Sequence, residues 1–420
     1  MAPRKKRKSA PPASIADRID ALPDLIGALP DCILHHVLSF VPAQAAVQTC
    51  VLARRWRHLW RSTTGLRIDG DEHPDFLHLQ RFVEYLLLLR ERTDLDTVEI
   101  KLGNKGDDDN VEHYVKLWIR FAVMCKARVF NLYNSVYDIC LANLPLVSRN
   151  LRTLDLRGVI LRENFLNFAS CPALEDLKMA NCDILDSKVS SRSLKHLDIT
   201  DCSSKLDYRF RVSTLGLLSL KIAGLEGKTP FLENMALLET AYVELDEDCE
   251  DFCLNYDSGA HCEDDNNACE NCVPNDDDCS SDCVLLGGIS SAKHLKLLSE
   301  SRMFIFRRDL RHCPITTGEL IFAVKLKTLL LNEYWCAAPD LDPLACILKN
   351  APVLEKLTLQ LFSKGPNHKM EMKGSYSSTE RSSAISEHLN IVEVKCNVVD
   401  KKIFKVLKFM SSFNIRFSFE

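Results

Sequence analysis

A short apolar phrase recurs along this chain and limits its fold more than any other feature. The pattern is L-x-x-L-x-L-x-x-N/C-x-L. Leu151, Leu154, Leu156, Val159 and Leu161 fit it, as do Leu174, Leu177, Met179, Cys182 and Ile184. Leu194, Leu197, Ile199 and Cys202 follow, then Leu215, Leu218, Leu220, Ala223 and Leu225. The centres Leu154, Leu177, Leu197 and Leu218 lie 23, 20 and 21 residues apart. Later copies are Leu326-Leu329-Leu331 and Leu354-Leu357-Leu359, and weaker ones sit at Leu95-Val98-Ile100, Phe130-Leu132, Leu238-Ala241-Val243 and Leu389-Val392-Val394. A longer phrase, Pro172-Ala173-Leu174-Glu175-Asp176-Leu177, returns as Pro352-Val353-Leu354-Glu355-Lys356-Leu357, each time after an apolar stretch expected to be helical. A unit this short buries its apolar face only by stacking on its neighbours. The expected fold is therefore α/β: an irregular solenoid over about 90–365 with a parallel β-sheet on its concave face. An ordinary α/β domain with periodic strands is the alternative, and the matching Cys182 and Cys202 speak against it.

Side chains alternate along a strand, so the residues between the apolar positions face away from the core. These are Thr153, Asp155 and Arg157, then Asp176, Lys178 and Ala180, then His196, Asp198 and Thr200, then Leu217, Ser219 and Lys221. One expected column across the strands reads Asp155, Lys178, Asp198, Ser219. Arg157, Lys178, His196 and Lys221 are the candidates for holding a partner, although alternating charges on adjacent strands also neutralise one another.

The chain has 420 residues and a net charge of −5, which argues against a general nucleic-acid binder. Apolar runs such as Leu86 to Leu89 fall far short of the roughly 20 residues that span a bilayer, so no membrane segment is expected. No apolar stretch follows the basic N-terminus, so no secretory signal is expected. The 18 cysteines are then read as thiols in a reducing compartment. Residues 1–20 read as a disordered tail, in which Arg4, Lys5, Lys6, Arg7 and Lys8 form either a nuclear localisation signal or a merely solvated run.

Residues 26 to 61 carry a different pattern. Leu29, Ile33, Leu34, Val37, Leu38 and Phe40 recur at helical spacing, bounded by Pro30 and Pro42. A second helix is expected over Ala43 to Cys50 and a third over Ala53 to Trp60. Three short helices cannot bury this much apolar surface among themselves, so the excess is expected to meet a partner.

The stretch "LPDCILHHVLSFVPAQAAVQTCVLARRWRHLW" resembles an F-box of the plant F-box/leucine-rich-repeat class. The likeness rests on Leu29-Pro30-Asp31, Leu38-Ser39-Phe40-Val41-Pro42, Thr49-Cys50-Val51-Leu52 and Arg54-Arg55-Trp56-Arg57-His58-Leu59-Trp60 together. Ala53 departs from the family, which often has Ser there. The start is also doubled, since Leu22-Pro23-Asp24-Leu25-Ile26 echoes Leu29-Pro30-Asp31-Cys32-Ile33; the F-box is assigned to 22–66 with the second copy as its start. Residues 384–420 resemble in part the beginning of an FBD-type C-terminal segment, with a strand at Ile391 to Val394 and a helix whose apolar face is Ile403, Phe404, Leu407 and Met410, capped by Asp400.

This resemblance implies a substrate-recognition subunit of a Skp–cullin–F-box ubiquitin ligase, and not an enzyme. The F-box would dock a Skp-type adaptor, and through it a cullin-RING ligase, using Leu29, Pro30, Ile33, Leu34, Val37, Leu52, Trp56, Leu59 and Trp60. The repeats would hold a target protein, in the nucleus or cytoplasm, with no cofactor. A scaffold or nuclear cofactor that no longer recruits a ligase is one rival reading. Another is a metal-binding protein built on the acidic insertion at about 246–283, which holds Cys249, Cys253, Cys262, Cys269, Cys272, Cys279, Cys283 and His261. Cys269-x-x-Cys272 has a zinc-ligand spacing, but the segment lacks apolar residues to pack around a metal. No G-x-S-x-G, H-E-x-x-H or glycine-rich phosphate loop is present.

Overall fold

The computed structural model describes residues 26, 29–103, 110–136, 138–206, 208–233, 235–246, 248–250, 284–299, 324–336, 344, 347–348, 350–362, 388–397, 401–411 and 416–419. Its main feature is a 13-stranded sheet in which every neighbouring pair is parallel and the spatial order follows the chain. The strands are β1 (Gly65–Asp69), β2 (Thr97–Lys101), β3 (Val129–Tyr133), β4 (Thr153–Arg157), β5 (Asp176–Ala180) and β6 (His196–Thr200). They continue through β7 (Ser219–Ala223), β8 (Thr240–Leu245), β9 (His294–Ser299), β10 (Thr328–Asn332), β11 (Lys356–Gln360), β12 (Ile391–Lys395) and β13 (Arg416–Phe419). The sheet thus begins at Gly65 and takes in the C-terminal segment, which is hydrogen-bonded to the same sheet as the repeats.

The strands form because apolar residues alternate with polar ones on a two-residue period. Leu154 and Leu156, Leu177 and Met179, Leu197 and Ile199 all turn inward and are essentially fully buried. Their neighbours in register are each other, so one apolar row runs from Leu66 through Leu357 and Val392.

Behind the sheet the covering changes along the chain. Two helices of the chain back its first strands: Phe76–Leu89 and Val111–Met124. Phe76, Leu79, Val83 and Leu86 are the buried stripe of the first, and Asp75 caps it by accepting the His78 N–H at 2.9 Å. From β4 to β8 the backing is made of short strands instead. Ile160–Leu161, Asp183–Ile184, Ser203–Ser204 and Glu226–Gly227 form a 4-stranded sheet, and Lys188–Ser191, Arg211–Thr214 and Phe231–Glu233 a 3-stranded one.

The stretch before Pro172, expected to be helical, is a series of turns. Glu163 and Asn164 have φ of 60° and 64°, which a helix cannot accommodate. The buried Asp186 carboxylate holds the turn by accepting the Asn164 N–H at 2.7 Å and the Leu166 N–H at 2.9 Å.

A left-handed residue closes each of four successive strands. Gly158, Asn181, Asp201 and Gly224 follow β4, β5, β6 and β7 with φ between 50° and 67°. These are the residue types that tolerate that conformation. At Gly158 a Cβ would also collide with the Asn134 carbonyl oxygen. Next come Cys182 and Cys202, buried on consecutive turns. The Cys182 thiol lies 3.4 Å from the Leu156 carbonyl oxygen and the Cys202 thiol 3.5 Å from that of Met179. Asn332 serves β9 and β10 in a related way, donating to the Ser299 carbonyl at 2.7 Å. At Cys182 and Cys202 the N/C position of the repeat is thus a side chain that satisfies backbone between turns, whereas Val159 and Leu225 fill the same position with buried apolar side chains.

The fourth repeat centre is Leu220 rather than Leu218. Leu220 and Ile222 face the core, Leu217 is buried ahead of the strand, and Leu215 is exposed. A shift of two residues keeps the pleat parity, so Ser219 and Lys221 still face outward. The column changes, however: Asp155, Lys178, Asp198 and Lys221 stand in register, and Ser219 pairs with His196.

In the C-terminal helix, Lys401–Ser411, the buried residues are Ile403, Val406 and Met410, while Phe404 is exposed and Leu407 half-buried. The expected face is therefore rotated from Phe404 to Val406. Asp400 lies outside the described residues.

Candidate functional site: an apolar face joined to a charged sheet

The N-terminal region contributes two helices, α1 (Asp31–Leu38) and α2 (Ala43–Gln48), followed by one-turn 3-10 segments at Thr49–Val51, Arg54–Arg57 and Leu59–Ser62. The expected third helix, Ala53 to Trp60, is thus two separate turns. Ala53 is extended, with φ −158° and ψ 162°, and His58 interrupts the run with φ −118°. Pro30 and Pro42 sit directly before α1 and α2, with φ of −58° and −52° suited to leading into a helix. Arg55 ties the ends of the region together: its Nε donates to Asp31 Oδ1 at 2.8 Å.

The nine candidate adaptor-docking residues divide between surface and core. Leu29, Pro30, Ile33, Val37 and Leu52 are exposed. Leu34, Trp56, Leu59 and Trp60 are buried in the chain. The reason is the helical period: Leu34 and Leu38 lie on one face of α1, against the Leu59–Ser62 turn, and Ile33 and Val37 lie on the other. The exposed apolar surface also includes Ile26, Phe40 and Val51, and Val51 and Leu52 are 81% and 68% exposed. Exposed apolar side chains in such number within so short a region mark an interaction surface.

This region is bonded firmly to the sheet that follows. Arg90, just beyond the Phe76–Leu89 helix, donates to the Trp60 carbonyl at 3.3 Å and Thr63 Oγ1 at 3.0 Å, and also to the Thr63 carbonyl. Burial pulls this guanidinium down from its ordinary pKa. Arg61 Nε donates to the Leu89 carbonyl at 2.6 Å, and Ser62 Oγ to Glu91 at 2.6 Å. Arg67 on β1 donates to the Ser39 carbonyl and pairs with Glu99. The joint therefore has side-chain hydrogen bonds across several points and no free linker.

The outer face of the sheet carries the four candidate target-holding residues. Arg157 pairs with Asp155 at 3.1 Å and lies 4.8 Å over the Tyr133 ring. Lys221 lies 3.3 Å from Asp198 and donates to Thr200 at 3.0 Å. The Lys178 and His196 side chains make no hydrogen bond or ion pair among the described residues, and both are exposed. Lys296 lies 5.8 Å over the Tyr242 ring, and Tyr242 donates to Glu244 at 2.6 Å. Burial, with Glu244 beside it, pushes the Tyr242 phenol up to about 12.

Glu393 on β12 collects Lys356 at 2.7 Å, Lys395 at 3.2 Å and the Thr358 hydroxyl at 3.2 Å. Led by the Lys356 contact, these hold its carboxyl down at about 2, against an ordinary value of 4.5. The folded state therefore binds this proton less readily than the unfolded chain. Its contribution to stability is complete above about pH 4.5 and disappears as pH falls through 2. Glu393→Gln should accordingly lower the unfolding temperature at pH 6 but make no difference near pH 2, read as paired melting curves. Equal differences at both pH values would refute the assignment.

Among the described residues no group of three or more His, Cys, Asp or Glu is placed to hold a metal. Cys249 is buried in a bridge to Gly227. Cys253, Cys262, Cys269, Cys272, Cys279, Cys283 and His261 lie outside the described residues, as do Arg4 to Lys8 and the first Leu-Pro-Asp copy. No helix among the described residues is long and apolar enough to cross a membrane.

Comparison with known proteins places these features in a class. The F-box domain model matches residues 26–66. An FBD-associated F-box protein of Arabidopsis thaliana is 28% identical over 261 residues, 53% of this chain and 61% of the relative. An F-box/FBD/LRR-repeat protein of the same plant is 26% identical over 425 residues, 92% of this chain and 90% of the relative. The MEIOTIC F-BOX protein MOF of Oryza sativa subsp. japonica is 30% identical over 223 residues, 47% and 46% of the two chains. The chain spans only about half to three fifths of the length of the first and third of these relatives, 61% and 46%. The chain carries an F-box domain, and its resemblance to plant F-box/LRR proteins with an FBD-type C-terminus is borne out.

Proposed function

We propose that this chain is the substrate-recognition subunit of a Skp–cullin–F-box ubiquitin ligase. The observation that carries this reading is the apolar face of Leu29, Pro30, Ile33, Val37 and Leu52, standing in solvent within the matched F-box. F-box domains as a class bind Skp-type adaptors. The adaptor would link the chain to a cullin and a RING subunit. The parallel sheet and its backing strands would form a leucine-rich-repeat solenoid that holds the target.

The chain itself does no chemistry in this account. It makes ubiquitin transfer quasi-intramolecular by raising the local concentration of target near the charged conjugating enzyme. A joint built from Arg61, Arg90 and Glu91 suits that role, because a fixed orientation keeps the target within reach. Action in the nucleus or cytoplasm fits, with the basic run at Arg4 to Lys8 as the import signal. Affinity purification of the full chain from its source tissue, read by mass spectrometry, should recover a Skp-type adaptor and a cullin together with a target. Recovery of a target without either would favour a scaffold instead.

A further inference from the structure

The outer face of the sheet looks nearly neutral when its charges are counted, but they do not stand at one height. From β4 to β9 its exposed ionisable residues are Arg157, Lys178, His196, His294 and Lys296, all bases. Its carboxylates, Asp155, Asp176, Asp198 and Glu244, are buried or half-buried. Each carboxylate is also engaged from within: Asp155 by Arg157, Asp176 by Thr153 at 3.3 Å, Asp198 by Thr200 at 2.6 Å, and Glu244 by Tyr242. In the Arg157–Asp155 pair the base is 51% exposed and the acid 10%, whereas in the Lys221–Asp198 pair the two are closer, 41% and 33%. The same asymmetry holds at the far end, where Lys356 is 42% exposed and Glu393 12%. A partner approaching this face meets cations first.

The cations are also regularly placed. Lys178, Lys221 and Lys296 occupy one register position on β5, β7 and β9. These are alternate strands, because β6 and β8 supply Asp198 and Tyr242 between them. Two strand steps amount to about 10 Å. An extended chain covers that distance in about three residues, and a polyproline-II segment brings every third side chain back to one side in about 9 Å.

Resting on the proposed role of this face, we propose that it recognises an extended acidic peptide segment of the target with carboxylates about three residues apart. Lys178, at one end of the row, is the principal contact, since its side chain has no partner of its own among the described residues. Lys296, braced on Tyr242, and Lys221 read the following positions. A neutral peptide gains nothing from this arrangement. The net charge of −5 disfavours a nucleic acid, whose affinity would come from sequence-independent charge.

The test uses the full-length protein and fluorescence anisotropy. The probes are a labelled peptide with Glu at every third position, its Gln counterpart, and a single-stranded oligonucleotide of equal charge. The Glu peptide should bind best, and added salt should weaken it. Lys178→Glu with Lys296→Glu should weaken it by about tenfold or more. Lys178→Gln with Lys296→Gln is the milder pair, and should weaken it by a smaller factor if the reversal variant fails to fold. Adaptor capture, measured on the same samples, should not change. No binding of the Glu peptide, equal binding of the Gln peptide or the oligonucleotide, or unchanged affinity in the folded variants would overturn the proposal. Because the peptide assay contains no adaptor, loss of the ligase reading alone would leave this result standing.

Discussion

Leu52→Asp combined with Ile33→Asp will remove capture of a Skp-type adaptor while leaving the folded chain intact. Both side chains stand in solvent, 68% and 44% exposed, so neither supports the core. Substitutions at such positions usually change stability by less than about 0.5 kcal/mol, and the melting temperature should move by less than about 2 °C. Docking is another matter. Burying a leucine-sized side chain contributes roughly 1.5–3 kcal/mol, and a carboxylate in its place would have to be stripped of water without a partner. Two such sites should weaken the complex by more than about 100-fold. Co-purification and calorimetry against purified adaptor decide it. Undiminished capture by the folded double variant would move the docking face elsewhere.

Trp60→Ala should lose the adaptor by a different route. Its side chain is buried within the core that includes Leu34, Leu38 and Leu59. Its carbonyl accepts from Arg90, which joins the F-box to the sheet. Truncating a buried Trp costs about 3–5 kcal/mol, a large part of the roughly 5–15 kcal/mol that holds a domain together. The expected result is lost capture together with a lowered melting temperature and faster amide exchange in residues 31–62. Lost capture at unchanged stability would make Trp60 a direct contact after all. Comparing the two variants therefore separates a docking residue from one that shapes the docking surface.

How far the sequence was legible follows from which signals are local. The strands were readable because Leu154-x-Leu156 and Leu177-x-Met179 repeat a two-residue period at regular distances. The misplaced centre at Leu218 arose because Leu215, Leu217, Leu218 and Leu220 offer a leucine to either of two registers. A second signal could have resolved it. Gly158, Asn181 and Asp201 each stand four residues after their repeat centre, and Gly224 stands four after Leu220. The left-handed turn marks the register more sharply than the leucines do.

The F-box surface was legible in composition but not in facing. Helical spacing gave α1 and its two sides, yet Trp56, Leu59 and Trp60 lie on short 3-10 turns whose orientation depends on what packs against them. β1 was missed because Leu66 and Ile68 stand in a short strand with no repeat before it. β9 was missed because Leu295 and Leu297 follow the acidic stretch, where the spacing breaks. The sunken carboxylates were beyond any sequence reading, since the sequence shows only alternating charge, whereas their relative height is set by side-chain length and by Thr153, Thr200 and Tyr242.

If the chain is a ligase receptor, the exposed face of its F-box docks an adaptor while the chain remains a rigid receptor. Titration of the purified full-length chain with a purified plant Skp-type adaptor tests it most directly. The account predicts a one-to-one complex of micromolar affinity or better, with the negative heat-capacity change that accompanies burial of apolar surface. A folded chain that shows no binding heat and no co-elution at micromolar concentrations of both proteins would contradict it.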